Sequence, residues 1–128
     1  MRATKKFFRH RNGISSFAAV TLETTPPTSA AAAWASSAVC PAEYRDAVIS
    51  GIAIAHDAHA AIGGQATCFR VVEVVELLAD TKADAVLCAA AGAAWVALGH
   101  SIAEVRYEFV NAWRASITPG SSLSLAPR

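Results

Sequence analysis

His56, Asp57 and His59 are the residues whose types and spacing come closest to a chemical site. Side chains three apart are neighbours on a helix surface, so His56 and His59 can offer two imidazole nitrogens to one metal ion. A zinc site takes three or four protein ligands. Asp57 or His100 would have to complete the set, and nothing in the sequence draws His100 near. A solvated helix end explains the trio with fewer demands, so neither metal nor other cofactor is expected. Glu73 and Glu76 invite an acid–base reading, but the two-residue period of a strand sends them to opposite faces. Cys40, Cys68 and Cys88 contain no Cys-x-x-Cys pair. As nucleophiles they would need an adjacent base. Free thiols among apolar neighbours, in a reducing cytoplasmic compartment, are the simpler account. The chain also lacks Gly-x-x-x-x-Gly-Lys-[Ser/Thr], the loop that cradles nucleoside phosphates. These residues together point away from an enzyme.

Charge is the second source of candidates. Arg2, Lys5, Lys6, Arg9 and Arg11 are five of the eleven basic residues, and the first acid is Glu23. From residue 12 onward six basic residues face ten acidic ones, so the body is net acidic. That distribution argues against a general nucleic-acid-binding surface. It leaves Lys5, Lys6, Arg9 and Arg11 as the phosphate-contact candidates, joined by Lys82, which is the only lysine after Lys6. A solvated terminus is the plainer reading of the head. The run Ile14 to Val20 holds two serines and is seven residues long, at the bottom of the signal-peptide range, and the composition loosely resembles an organelle transit peptide; a tail is the favoured reading. Residues 1–13 are therefore expected to be a basic disordered tail leading into a strand.

The elements that must position these groups follow from periodicity and punctuation. FAAVTLET, residues 17–24, reads as a strand with Val20 and Leu22 on one face, ended by Pro26-Pro27. Residues 28–40 are low in complexity and stay open between loop, short strand and weak helical turn. Pro41 suits the first position of a helix. The helix then carries Tyr44, Val48, Ile52, Ala55 and Ile62 near one stripe and stops at Gly63-Gly64. Residues 67–78, rich in valine on both faces, read as a central strand. IAEVRYEFV, from Ile102, alternates as a half-exposed strand, with Val105, Tyr107 and Phe109 on one side. A helical reading through Ile102, Val105, Phe109 and Trp113 competes less well. The single α+β domain is expected over 14–115, with a disordered tail over 116–128.

Thr81 to Leu98 raises the question of membrane or core. Thr-x-x-Asp at Thr81 and Asp84 predicts a capping box, with Asp80 and Asp84 suiting the positive end of the helix dipole. The helix body is mostly alanine, which contributes little transfer energy, and no Lys or Arg cluster flanks it. The expected place is a close seat against a sheet. Order and composition together give a two-layer α+β sandwich, a sheet of three or four strands with two helices on one face.

The same residues resemble a known family. PAEYRDAVISGI, from Pro41 to Ile52, is similar to the Pro-x-Glu-Tyr-x-x-Ala-Val-x-x-Gly-Ile stretch of domain IV of translation elongation factor G. Gly64 followed by FRVVEV, then ADTKADAVLCAAAGAAWVAL, resembles that domain's later strand and its alanine-rich helix; FAAVTL resembles its first strand. The likeness runs from Phe17 to Leu98. It implies a ribosomal-protein-like fold with a left-handed βαβ crossover. It also implies a structural role for Glu73, which matches an acidic position there. The departures bear on function. The tip loop before the second helix is shortened to Asp80, Thr81 and Lys82, a His-bearing segment is missing, and Arg70 replaces proline. A translocase role does not carry over, since fold similarity does not transmit function.

Three functions fit these observations. The first is a non-enzymatic module of this fold that contacts RNA, the ribosome or a protein partner. The second is a structural protein that self-associates by pairing its last strand with a second copy. The third is a metal protein built on His56 and His59. No membrane partner is expected.

Overall fold

The computed structural model describes residues 1–25, 33–34, 40–77 and 79–119. Its first element is a strand where the sequence led us to expect a tail. β1 (Arg2–Arg11) pairs antiparallel with β2 (Ile14–Thr25) along its whole length, from Arg2 opposite Glu23 to Arg11 opposite Ile14. Asn12 and Gly13 join the strands with φ of 51° and 79°. Left-handed conformations at both central positions match the right-handed twist of a hairpin, and Asn-Gly is the pair that adopts them most readily. The expected boundaries 1–13 and 14–115 are therefore corrected at the N-terminal side. β1 is part of the domain.

The alternation in β1 escapes a hydropathy reading because cations fill the inward positions. Ala3, Lys5 and Arg9 are half-buried and Phe7 is fully buried, while Arg2, Thr4, Lys6, Phe8 and His10 are exposed. Lysine and arginine place their stems on apolar surface and keep their heads near water. β2 continues the same two faces, with Ala18, Val20 and Leu22 inward against the core.

The main sheet has the order β1-β2-β4-β3. β4 (Cys68–Val75) runs antiparallel to β2, and β3 (Ala33–Trp34) pairs parallel to β4. β4 is thus an inner strand, as its valines foretold. The register shifts between Thr21 and Leu22, which face Glu73 and Val71, leaving Val72 as an extra residue. Pro26-Pro27, most of 28–40, Leu78 and the tail from residue 120 lie outside the described residues.

A 3₁₀ turn (Ala42–Tyr44) leads into α1 (Arg45–Ala61), so Pro41 precedes the helical turn as its cap residue. Tyr44, Val48 and Ala55 are buried and Ile52 is partly so, but Ile62 lies beyond the helix and is exposed. α1 ends in a Schellman motif: the Gly63 N–H donates to Ala60 O and the Gly64 N–H to His59 O, with Gly63 at φ 87°. α2 (Ala83–Ala97) ends the same way through Gly99, whose N–H donates to Val96 O while that of His100 donates to Trp95 O.

α2 is buried on nearly every side, from Ala85 through Ala97. A helix that is apolar all round belongs in an interior, and this one packs against α1, against β1 and β2, and against a hairpin from the C-terminal part of the chain. No helix among the described residues is long and apolar enough to cross a membrane. The fold is the expected small α+β arrangement.

The hairpin is β5 (Val105–Val110) and β6 (Ala112–Ile117), a separate two-stranded sheet reached through a 3₁₀ turn at Ile102–Glu104. Asn111 turns the chain at φ 65°. Val105 faces Ile117, Tyr107 faces Ala115 and Phe109 faces Trp113, which puts these six residues on one side. Arg106, Glu108, Arg114 and Ser116 are directed to the other. Residues 116 and 117, expected in a tail, complete β6.

Candidate nucleic-acid interface

β1 brings Lys5, Lys6, Arg9 and Arg11 together and divides them between two faces. On the inner face the cations lie on aromatic rings of the hairpin and of β1 itself. Lys5 Nζ is 5.6 Å from the Tyr107 centroid. The Arg9 guanidinium is 5.1 Å from Phe7 and 5.3 Å from Tyr107. The Arg11 guanidinium is 4.4 Å from Phe109. The negative face of each ring's quadrupole attracts the charge, so these side chains have preferred seats without an ion pair to a carboxylate among the described residues. Burial, and then the charge of Arg9, lowers the Lys5 pKa below the usual lysine range.

Phe7 anchors this arrangement. It is fully buried and meets Tyr107 at 5.1 Å and Trp113 at 5.6 Å, both edge to face. Through it β1, α2 and the hairpin share one core.

The outer face carries Lys6, Phe8 and His10. Phe8 is 52% exposed and meets Phe17 edge to face at 6.4 Å, which leaves an open ring beside basic groups. Arg2 is engaged differently. It shares Glu23 with Arg70, at 3.4 Å and 2.9 Å respectively. The hydrogen bond from Arg70, against a smaller desolvation cost, holds the Glu23 carboxyl below the usual carboxylate range.

Lys82 stands on the tip loop, which is tied to β2. The Thr81 hydroxyl donates to Phe17 O at 2.6 Å and accepts from Leu77 N–H at 2.8 Å, while Phe17 N–H donates to Asp80 O. The loop Asp80 to Lys82 is thereby stitched to the sheet, and Lys82 is exposed beside it. This corrects the expected capping box. Lys82 occupies the cap position of α2 without a side-chain cap. Asp84 accepts from Ala85 N–H and, through its second oxygen, from Trp113 N–H at 2.9 Å, so it ties the helix start to β6.

The histidines separate. His56 Nε2 accepts from Thr67 N–H at 3.2 Å. His59 instead lies 2.8 Å from His100, Nδ1 to Nε2, because the two Schellman caps converge. His100 also stacks on Trp95 at 3.8 Å. Burial first, then His59, lowers the His100 pKa, with Glu104 opposing. Among the described residues no group of three or more His, Cys, Asp or Glu is placed to hold a metal ion. Glu73 and Glu76 are both exposed. Cys40 and Cys88 are buried and free; burial, then the charge of Asp84, pushes the Cys88 thiol up to about 12, which keeps it protonated at neutral pH.

Sequence reasoning missed Phe8, Phe17, Phe109 and Trp113 as parts of a surface. Asn12-Gly13 was the signal that could have found the first pair. Apolar residues at every second position after Asn111 could have found the last.

Against known proteins, no family model matches the chain, and no curated protein matches it. Among solved structures, the chain is similar to a crystal structure of a Thermus thermophilus protein, with a TM-score of 0.63 and 21% identity. The match covers 73% of this chain and 14% of that protein. It shows a shared fold, and this chain spans a small part of the other's length.

Proposed function

We propose that this chain is a non-enzymatic RNA-binding module, resembling domain IV of elongation factor G, that uses β1 as its contact strand. The observation that carries the reading is the ordered strand itself. Lys5, Lys6, Arg9 and Arg11 stand on ten paired residues without an acid among them. A disordered tail would have to lose conformational entropy on binding, whereas a paired strand presents its charges in place. The net acidic body restricts RNA to this edge and to Lys82. The open Phe8 ring supports the same reading, since exposed aromatics beside cations are a recurrent platform for unpaired bases. A cytoplasmic site of action fits the free thiols.

Fluorescence anisotropy with a short single-stranded RNA tests this. With about four phosphates neutralised, log affinity should fall against log salt with a slope of roughly −3, at about −0.7 per contact. Lys6→Ala should weaken binding to all sequences alike and make the slope shallower by about 0.7. No binding at low salt, or binding indifferent to salt, would overturn the reading.

A further inference from the structure

A groove of about 150 Å³ opens between the Asn12-Gly13 turn and the tip of the β5–β6 hairpin, lined by Arg11, Asn12, Ile14, Ser16, Phe109 and Trp113. We propose that it seats one unpaired nucleotide of single-stranded RNA, with the base stacked on the Arg11 guanidinium. This deepens the RNA-binding reading and rests on it.

Four features of the groove point to that occupant. Arg11 is exposed, lies over Phe109 and lines the groove, and a guanidinium plane is a stacking surface for a splayed base. Phe109 is in turn braced by Trp113, edge to face at 5.5 Å. Asn12, exposed at the turn, offers both an amide donor and an acceptor, the groups that read a base edge, and the largely buried Ser16 adds a hydroxyl to the groove wall. Among the described residues no acid lines the groove, so the phosphate of the same nucleotide meets no like charge from them. A base held in a duplex cannot enter without leaving its stack, which makes single strands the preferred ligand.

The test compares wild type, Arg11→Lys and Phe109→Leu by anisotropy, each with single-stranded RNA and with the matching duplex. Thermal melts of the variants verify the fold. Arg11→Lys keeps the charge and loses the plane. The expected result is binding about tenfold weaker for each variant on single strands, with an unchanged salt slope for Arg11→Lys, as loss of one stacked base would give. Wild type should bind the duplex more weakly than the single strand. If Arg11→Lys binds like wild type, or if duplex and single strand bind alike, the groove does not seat a base, and the broader RNA reading stands without it. If wild type binds neither RNA, both fall.

Discussion

Where α1 meets α2, contact is made by the near absence of side chains; where β1 meets the β5–β6 hairpin, it is made by rings with cations laid over them. At the first seam a Cβ added at Gly51 would stand 2.5 Å from Leu87 O and 2.9 Å from Ala91 N, both backbone atoms. At the second, Gly92 is met by the Tyr107 hydroxyl, the Lys5 stem and Ile102, all of them side chains. One seam is rigid because backbone lies against backbone. The other has more give, because the atoms met there belong to side chains and not to backbone. Tight packing therefore secures the fold on one side of α2, while on the other the chain keeps its charged, adaptable surface.

Large truncations probe whether both seams are core. Phe7→Ala and Trp95→Ala should each cost about 3–5 kcal/mol, read by chemical denaturation. A loss below about 1 kcal/mol for Phe7→Ala would mean that β1 is not integral, since a surface substitution costs less than that. Next come the two glycines. Gly51→Ala should destabilise by about 1–3 kcal/mol through overpacking, and Gly92→Ala by distinctly less, because its neighbours can move. Equal losses would erase the contrast between the seams.

Tyr107→Phe sharpens the comparison further. The Tyr107 hydroxyl is buried without a hydrogen-bond partner among the described residues, and burial followed by Cys88 raises its pKa above the usual phenol range. Removing an unsatisfied buried group should stabilise the protein by about 1 kcal/mol, seen as a higher Tm. Destabilisation would mean that the hydroxyl is satisfied in solution.

The smallest effect concerns pH. His100 has a folded pKa below its ordinary value of 6.5. The unfolded chain therefore binds more protons as pH falls below about 6.5, so this contribution is present above that value and lost on acidification toward the folded pKa. His100→Asn should flatten stability between pH 6.5 and the acid limb, measured by denaturant midpoints. An unchanged pH profile would remove His100 as the cause.

Most of the fold was legible where apolar periodicity and glycine punctuation agree. β2, α1, β4, α2 and the first half of the hairpin are such places. What remained hidden had polar residues in positions that apolar ones usually fill. In β1, Lys5 and Arg9 occupy inward positions, so the strand looks like a solvated charge run unless Asn12-Gly13 is weighed as a turn. β6 alternates as a strand should, through Trp113, Ala115 and Ile117, but its run is short and merges into the Pro- and Ser-rich tail, so it reads as part of that tail. Thr81 and Asp84 matched a local cap, yet distant partners at Phe17 and Trp113, and the Leu77 N–H just upstream, claimed their oxygens. The approach of His100 to His59 depends on where two helices end in space, which spacing along the chain does not encode.

The irregularity at Val72 has an effect on how this domain can change length. Val71 and Glu73 are two apart, which in an even strand would send them to the same side; the additional residue lets Val71 look inward while Glu73 looks out. Excising Val72 would leave every other side chain of β4 facing as it does now. Excising a residue from the middle of β2 would turn half that strand over. Val72 is the point in this sheet where the chain can be shortened by one without exchanging interior for exterior.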